Sequence, residues 1–192
     1  MLSHFRPAAV LLAGMTLLTG LAYPLAMTGL AQAIAPAAAN GSLIVRGDRV
    51  IGSALLVQDF TGAAYLHPRA SASGFVATGS YASNLGPSSA KLQADVAARR
   101  ADFEAANGAP APIDAVTASA SGLDPDISPA NARAQAGRIA QARGLPIADV
   151  WQVIDAQIAG PWLGLYGQPR VNVLVANLAL DAAFPAAPAG QN

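Results

Sequence analysis

Two carboxylates separated by one proline, Asp124-Pro125-Asp126, are the most chemically suggestive neighbours in this chain. Carboxyl groups that close could share a metal ion or act as an acid/base couple. Their setting points elsewhere. The run Leu123-Asp124-Pro125-Asp126-Ile127-Ser128-Pro129 is turn and cap chemistry, in which Asp side chains accept from backbone amides and enter the positive end of a helix dipole. Ser119 and Ser121 beside Gly122 suggest a nucleophile turn, yet Gly-x-Ser-x-Gly is missing. A hydrolase would have to recruit His67, the one histidine beyond the N-terminal stretch, and nothing local brings it to a nucleophile. With no cysteine and a lone histidine a zinc site cannot be completed. Neither a P-loop nor a strand-linked Gly-x-Gly-x-x-Gly is present to cradle phosphate. These residues favour a non-catalytic domain.

Two further junctions, Asn84-Leu85-Gly86-Pro87-Ser88 and Gly167 to Val173, join a turn to an element. Their polar side chains could cap backbone or meet a partner, and the sequence leaves both open.

What positions these groups begins with an asymmetry of charge. From Pro7 to Val45 the chain carries no charged residue, and Ala8 to Met27 is long enough, at roughly 1.5 Å per residue, to cross a hydrocarbon core of about 30 Å. Thr16, Thr19 and Thr28 are placed to bond back to helix carbonyls, while Pro24 should kink the last turns or mark the exit from the core. A cleaved signal peptide is the competing reading, because His4 and Arg6 precede the run and Ala33-Ile34-Ala35 resembles a cleavage site. The run exceeds a signal-peptide core and Pro36 follows that site at once, so a retained anchor is expected. Arg6 then holds residues 1–6 in the cytoplasm and sends the rest outward, to the periplasmic side of an inner membrane. The expected division is a cytoplasmic N-terminus over 1–6, a transmembrane helix and exit over 7–35, a linker over 36–41, one periplasmic domain over 42–180 and a flexible tail over 181–192.

About 150 residues after the anchor match the usual size of one domain with its own core. Formal net charge is zero, Lys91 is the only lysine, and the arginines are scattered, so nucleic acid has no electrostatic footprint to bind. Ser42 to Val45 and Val50 to Val57 read as strands of a hairpin around Gly47-Asp48, which makes Arg46-Gly47-Asp48 a turn rather than an adhesion signal. Gly74 to Ser89 should be a sizeable ordered loop.

Helices are expected from Ser88 or Ser89 to Gly108, from Ser128-Pro129 to Gly144, and from about Ile147 to Ile158. In the second, Ala132, Ala136 and Ile139 should face inward and Asn131, Gln135 and Arg138 away. In the third, Val150, Trp151, Ile154 and Ile158 should share one side. Ile113 to Ser119 and Val171 to Leu180 read as strands. The fold class is therefore α/β or α+β, with one N-terminal transmembrane helix and a mixed domain of a small sheet and about three helices.

Four stretches in a fixed order carry a resemblance. They are Ser83 to Ser88, Thr117 to Pro129, Ala142-Arg143-Gly144, and Pro169 to Leu174 with Asn177 to Leu180. Together with the single anchor they make the chain similar to the C subunits of potassium-transporting P-type ATPases, the KdpC family, over almost the whole outer domain. Departures stand at Val57-Gln58-Asp59-Phe60, where the family usually has Gly-Gln-x-Phe, and at Ala70, Ala120 and Gln168, where Pro, Gly and Glu are common. The resemblance implies an accessory, non-catalytic subunit of an inner-membrane complex that imports K⁺ at the expense of ATP. Its partners would be a K⁺-channel-like subunit, an ATP-hydrolysing P-type subunit, a small single-helix subunit and membrane lipid. It further implies a role in assembly and as a catalytic chaperone raising the ATP affinity of the hydrolytic subunit. A domain outside the membrane does not meet cytosolic nucleotide, so no cofactor is expected on this chain and ATP and K⁺ fall to the complex. Candidate interface residues are Asn84, Leu85, Gly86, Pro87, Ser88, Ser121, Gly122, Leu123, Asp124, Pro125, Asp126, Arg170 and Asn172. The alternative is a membrane-anchored periplasmic binding module acting alone, which needs a pocket of convergent polar groups.

Overall fold

The structure, a computed structural model, describes residues 4–185, so the last seven residues of the expected tail lie outside it. The chain divides into two units, one up to Ile51 and one from Gly52.

The first unit is dominated by an apolar helix over Phe5–Ile34, long enough at about 45 Å to span a bilayer. It comprises α1 (Phe5–Leu17), a π turn (Leu18–Ala22) and α2 (Tyr23–Ile34). Within the π turn the Tyr23 amide reaches back five residues to the Leu18 carbonyl. Proline cannot donate to the residue four before it, and the π turn just ahead of Pro24 absorbs that gap so that the helix continues for ten more residues. Pro24 thus lies inside the helix rather than at its exit. Thr19 and Thr28 hydroxyls donate to the Met15 and Pro24 carbonyls at 2.7 and 2.8 Å. Ala35, kept out of the helical region by the following proline at φ −142° and ψ 65°, ends the run before the short α3 (Pro36–Ala39). Next comes a hairpin of β1 (Leu43–Arg46) and β2 (Arg49–Ser53), with Gly47 left-handed at its turn. The second strand is shorter than expected, because the chain turns at Ser53, whose hydroxyl and carbonyl accept from Leu55 N and Leu56 N, and Val57 N then donates to the Leu123 carbonyl.

In the second unit, α4 (Ala90–Asn107) starts at Ser89, whose hydroxyl accepts from Leu92 N, and ends at left-handed Gly108. Helix α6 (Pro129–Arg143) starts at Ser128 and ends at left-handed Gly144. Both follow the cap logic of the sequence. Helix α7 (Ile147–Ala156) buries Val150 and Ile154 but exposes Trp151, and Ile158 leaves it for a short strand, β4 (Ile158–Ala159). A three-stranded antiparallel sheet has the order β3-β5-β4, with β3 (Asp126–Ile127) and β5 (Arg170–Asn172) pairing Ile127 with Val171. Antiparallel pairing makes the domain α+β of the two classes expected.

Two expected strands are helices. Ile113–Val116 is a short helix, α5, whose Asp114 is drawn to the start of α6. Val173–Ala183 is α8, because Asn172 caps it by accepting from Val175 N and because Val173, Ala176, Asn177 and Leu180 form one buried stripe at helical spacing. Asp181 to Ala183, assigned to the tail on sequence, complete that helix. The core gathers Leu66, Ile127, Ile139, Val150, Ile154, Val171 and Leu180 between α6, α7, α8 and the sheet.

Candidate functional site

The candidate residues from Ser121 to Asp126 form a turn that three other segments hold in place. Backbone at Ser119 donates to the Ala70 carbonyl at 2.9 Å, laying the turn beside residues 69–73. Ser71 and Ser73 hydroxyls both donate to the Gly122 carbonyl, at 2.6 and 3.1 Å. In return Gly122 N donates to Ser119 Oγ and Leu123 N to Ser121 Oγ, each at 3.1 Å. Gly122 is left-handed at φ +71°, and a Cβ there would meet Ser73 Oγ at 2.8 Å and the Tyr81 carbonyl at 2.9 Å. Only glycine satisfies both the angle and the space. The four serines are therefore spent on one another and on backbone, and none faces a general base.

Asp124 and Asp126 differ in role. One oxygen of Asp124 accepts from Asp126 N at 3.0 Å, an Asx turn across Pro125, and the other pairs with Arg69 at 3.0 Å. Arg69 also donates to the Thr117 carbonyl at 3.3 Å, so it ties the carboxylate to the strand-like approach of the turn. Asp126 accepts from Asn172 Nδ2 at 3.1 Å and pairs with Arg170 at 2.9 Å. Burial raises the Asp126 carboxyl above its ordinary range against the opposing pull of Asn172 and Arg170. Neither carboxylate reaches the N-terminus of α6. That place belongs to Asp114, whose oxygens accept from Ser128 N, Ser128 Oγ and Asn131 Nδ2 at 2.8 to 3.0 Å. Sequence reasoning missed Asp114 because it lies fourteen residues from the cap it completes, with no local signal.

Asn172 joins three elements: its Nδ2 also donates to the Ala54 carbonyl at 2.9 Å while its oxygen caps α8. Arg69, Asp114, Asp124, Asp126, Gln168 and Arg170 border an open groove of about 400 Å³, which thus brings Asp124, Asp126 and Arg170 together among the expected residues. Asn84 to Ser88 run separately toward the start of α4, with Asn84 left-handed at φ +51° and Ser89 N donating to the Gly86 carbonyl. From that loop, Ser80 Oγ and Tyr81 N reach the turn by donating to the Ser121 carbonyl at 3.0 Å.

Asn131 and Gln135, expected on the outer face of α6, are almost fully buried. Gln135 brackets His67, accepting from its amide at 2.8 Å and donating to its carbonyl at 3.1 Å, and Asn177 does the same for Leu66. Arg138 and Arg143 complete the clamp on residues 62–67. Arg138 donates to the Ala63 and Tyr65 carbonyls, and Arg143, 2% exposed, donates to the carbonyls of Ala64 and Phe184 and pairs with Asp181 at 2.9 Å. His67 Nε2 sits 3.0 Å from the Gly62 carbonyl. Burial, helped by the charge of Arg138, lowers its proton affinity. It faces the clamp, not a serine. Among the described residues, no group of three His, Cys, Asp or Glu side chains could hold a metal ion.

Among the described residues, one apolar helix is long enough to cross a membrane, and it precedes a mixed domain whose groove and turn side chains pair with one another and with its own loops. The family model for KdpC, described as K+-transporting ATPase, c chain, matches residues 5–182, and the chain belongs to that family. A relative from Cereibacter sphaeroides, a potassium-transporting ATPase KdpC subunit, is 63% identical over 183 residues, covering 95% of this chain and 99% of the relative. Proteins with the same description from Caulobacter vibrioides and Rhodospirillum rubrum are each 55% identical and cover 96% and 97% of this chain.

Proposed function

We propose that the chain is the accessory subunit of an ATP-driven potassium import complex, contributing assembly and stability rather than chemistry. The reading is carried by the family match from residue 5 to residue 182, which takes in both the membrane-length helix and the domain. In it, residues 1–6 face the cytoplasm, the domain lies on the periplasmic side, and the partners are a channel-like subunit, a P-type ATP-hydrolysing subunit and a small single-helix subunit. Any gain in ATP affinity of the hydrolytic subunit passes through the membrane as coupling between conformational states, because both sites must then bias one equilibrium.

Exposed side chains agree with life in a complex. Leu43, Val45 and Val50 of the hairpin are more than half exposed, and a two-stranded hairpin in water needs a cover for such a face. The loop at Asn84 to Ser88 and the turn at Leu123 to Asp126 are assigned to the subunit interface, the first for its exposure and the second for its place on the groove. A binding module acting alone would instead need convergent polar groups free to take a ligand, whereas Arg69, Asp124, Asp126 and Arg170 are paired with each other.

The test is affinity purification of the tagged full chain from its native membrane in mild detergent, with identification of what comes with it and a K⁺-stimulated ATPase assay. Co-purification of a P-type ATPase and a channel-like subunit is the expected outcome. A monomer by itself moves the assignment to the binding module. Substitutions across Asn84 to Ser88 or Leu123 to Asp126 should weaken association or K⁺ uptake; unchanged assembly and uptake would remove those segments from the interface.

A further inference from the structure

The most exposed apolar surface of the second unit is a small finger between β4 and β5. Pro161 to Gly167 forms a tight reversal in which Trp162 N donates to the Tyr166 carbonyl at 2.8 Å and Tyr166 N returns to Trp162 at 3.0 Å. Leu163 and Gly164 at its tip are left-handed, at φ +52° and +72°. Trp162, Leu163, Leu165 and Tyr166 are 68%, 71%, 79% and 68% exposed, although a soluble domain ordinarily hides side chains of this size. No charge occurs between Asp155 and Arg170.

We propose that this finger dips into the interfacial layer of the bilayer in which the chain's own N-terminal helix is anchored. Three observations favour a lipid surface over a groove on another protein. The order Trp-Leu-Gly-Leu-Tyr is symmetric about the tip, and the Trp162 and Tyr166 rings sit side by side with centroids 6.1 Å apart. That places two leucines beyond a paired aromatic belt, the depth order of an acyl boundary topped by headgroups, where Trp and Tyr keep one end apolar and one wet. The uncharged stretch fits a medium that penalises charge and needs no particular partner. Finally, Gly52 follows the last residue of the membrane-length helix by only 18 positions, so the extended connection reaches at most about 60 Å and a bilayer is always present at high effective concentration.

Tryptophan supplies the test, since Trp151 and Trp162 are the only two and the N-terminal helix has neither. The full-length Trp151→Phe chain, without other subunits, is reconstituted in phosphatidylcholine/phosphatidylglycerol vesicles whose acyl chains are brominated near the headgroup. Trp162 emission should shift to the blue and fall to about half of that in unbrominated vesicles, as for an interfacial indole. The Trp162→Phe chain, reporting on Trp151, should be quenched far less. A Leu163→Ser, Leu165→Ser double variant, folded by circular dichroism, should lose most of the quenching. Unquenched Trp162 in vesicles overturns the proposal, and a blue shift arising only when the other subunits are added reassigns the finger to a protein groove.

Discussion

Two irregular segments of the second unit, 62–67 and 161–167, make opposite use of similar material. Each sets leucine beside an aromatic residue without regular structure, yet Leu66 is fully buried while Leu163 and Leu165 stand in the open. The first is fixed from outside: Gln135 and Asn177 pair with its backbone like the missing neighbours of a β-ladder, and two guanidinium groups take its carbonyls. The second is fixed from within, by the reciprocal hydrogen bonds of Trp162 and Tyr166. A loop can be rigid in either way, but only the second leaves its side chains for something else. Buried amides and arginines are thus the cost of bringing an irregular strand into a core, where unpaired backbone is expensive.

Removing the outside support should do the greatest damage. Arg143→Leu removes the guanidinium that the Ala64 and Phe184 carbonyls accept from and breaks the ion pair with Asp181, and should cost about 3 kcal/mol in chemical denaturation. Asn177→Leu strips both backbone partners of Leu66 and should cost about 2 kcal/mol by the same measurement. If either variant is as stable as the parent, the clamp is not what holds 62–67. His67 sharpens the point through pH. Its folded-state proton affinity is lowered, so the unfolded chain takes the proton first; stability should be full above an ordinary histidine pKa of about 6.5 and decline as pH falls through the lower folded value. A His67→Gln chain should show a flatter stability curve below neutrality, and an unchanged slope would assign the acid sensitivity elsewhere. The smallest effect belongs to the finger: Leu165→Ser should change stability by less than about 0.5 kcal/mol, because nothing inside the domain depends on that side chain.

Much of the fold was legible wherever the signal was local. Ser89 with Gly108, and Ser128-Pro129 with Gly144, bound two helices because caps act on residues within one turn. Val171 to Leu180 misled, since its valines alternate at strand spacing while Val173, Ala176, Asn177 and Leu180 repeat at helical spacing; Asn172, a cap residue, was the cue that decides between them. Asn131 and Gln135 read as solvent-facing because their type is polar, and their burial depends on backbone more than sixty residues away in the case of Gln135. At the candidate site, the turn chemistry of Asp124 was readable from Pro125 and Asp126. Arg69, Ser71 and Ser73 were not, because each meets the turn across some fifty residues of chain.

The π turn at Leu18–Ala22 has a mechanical side. One extra residue in a turn rotates everything after it by about 100° relative to an uninterrupted helix. The side chains ahead of the turn and those behind it therefore do not continue the same stripes along the rod. The helix behaves as two splined shafts joined at an offset key: a neighbour that meshes with Gly14 along one meridian must find the Gly29 row on another.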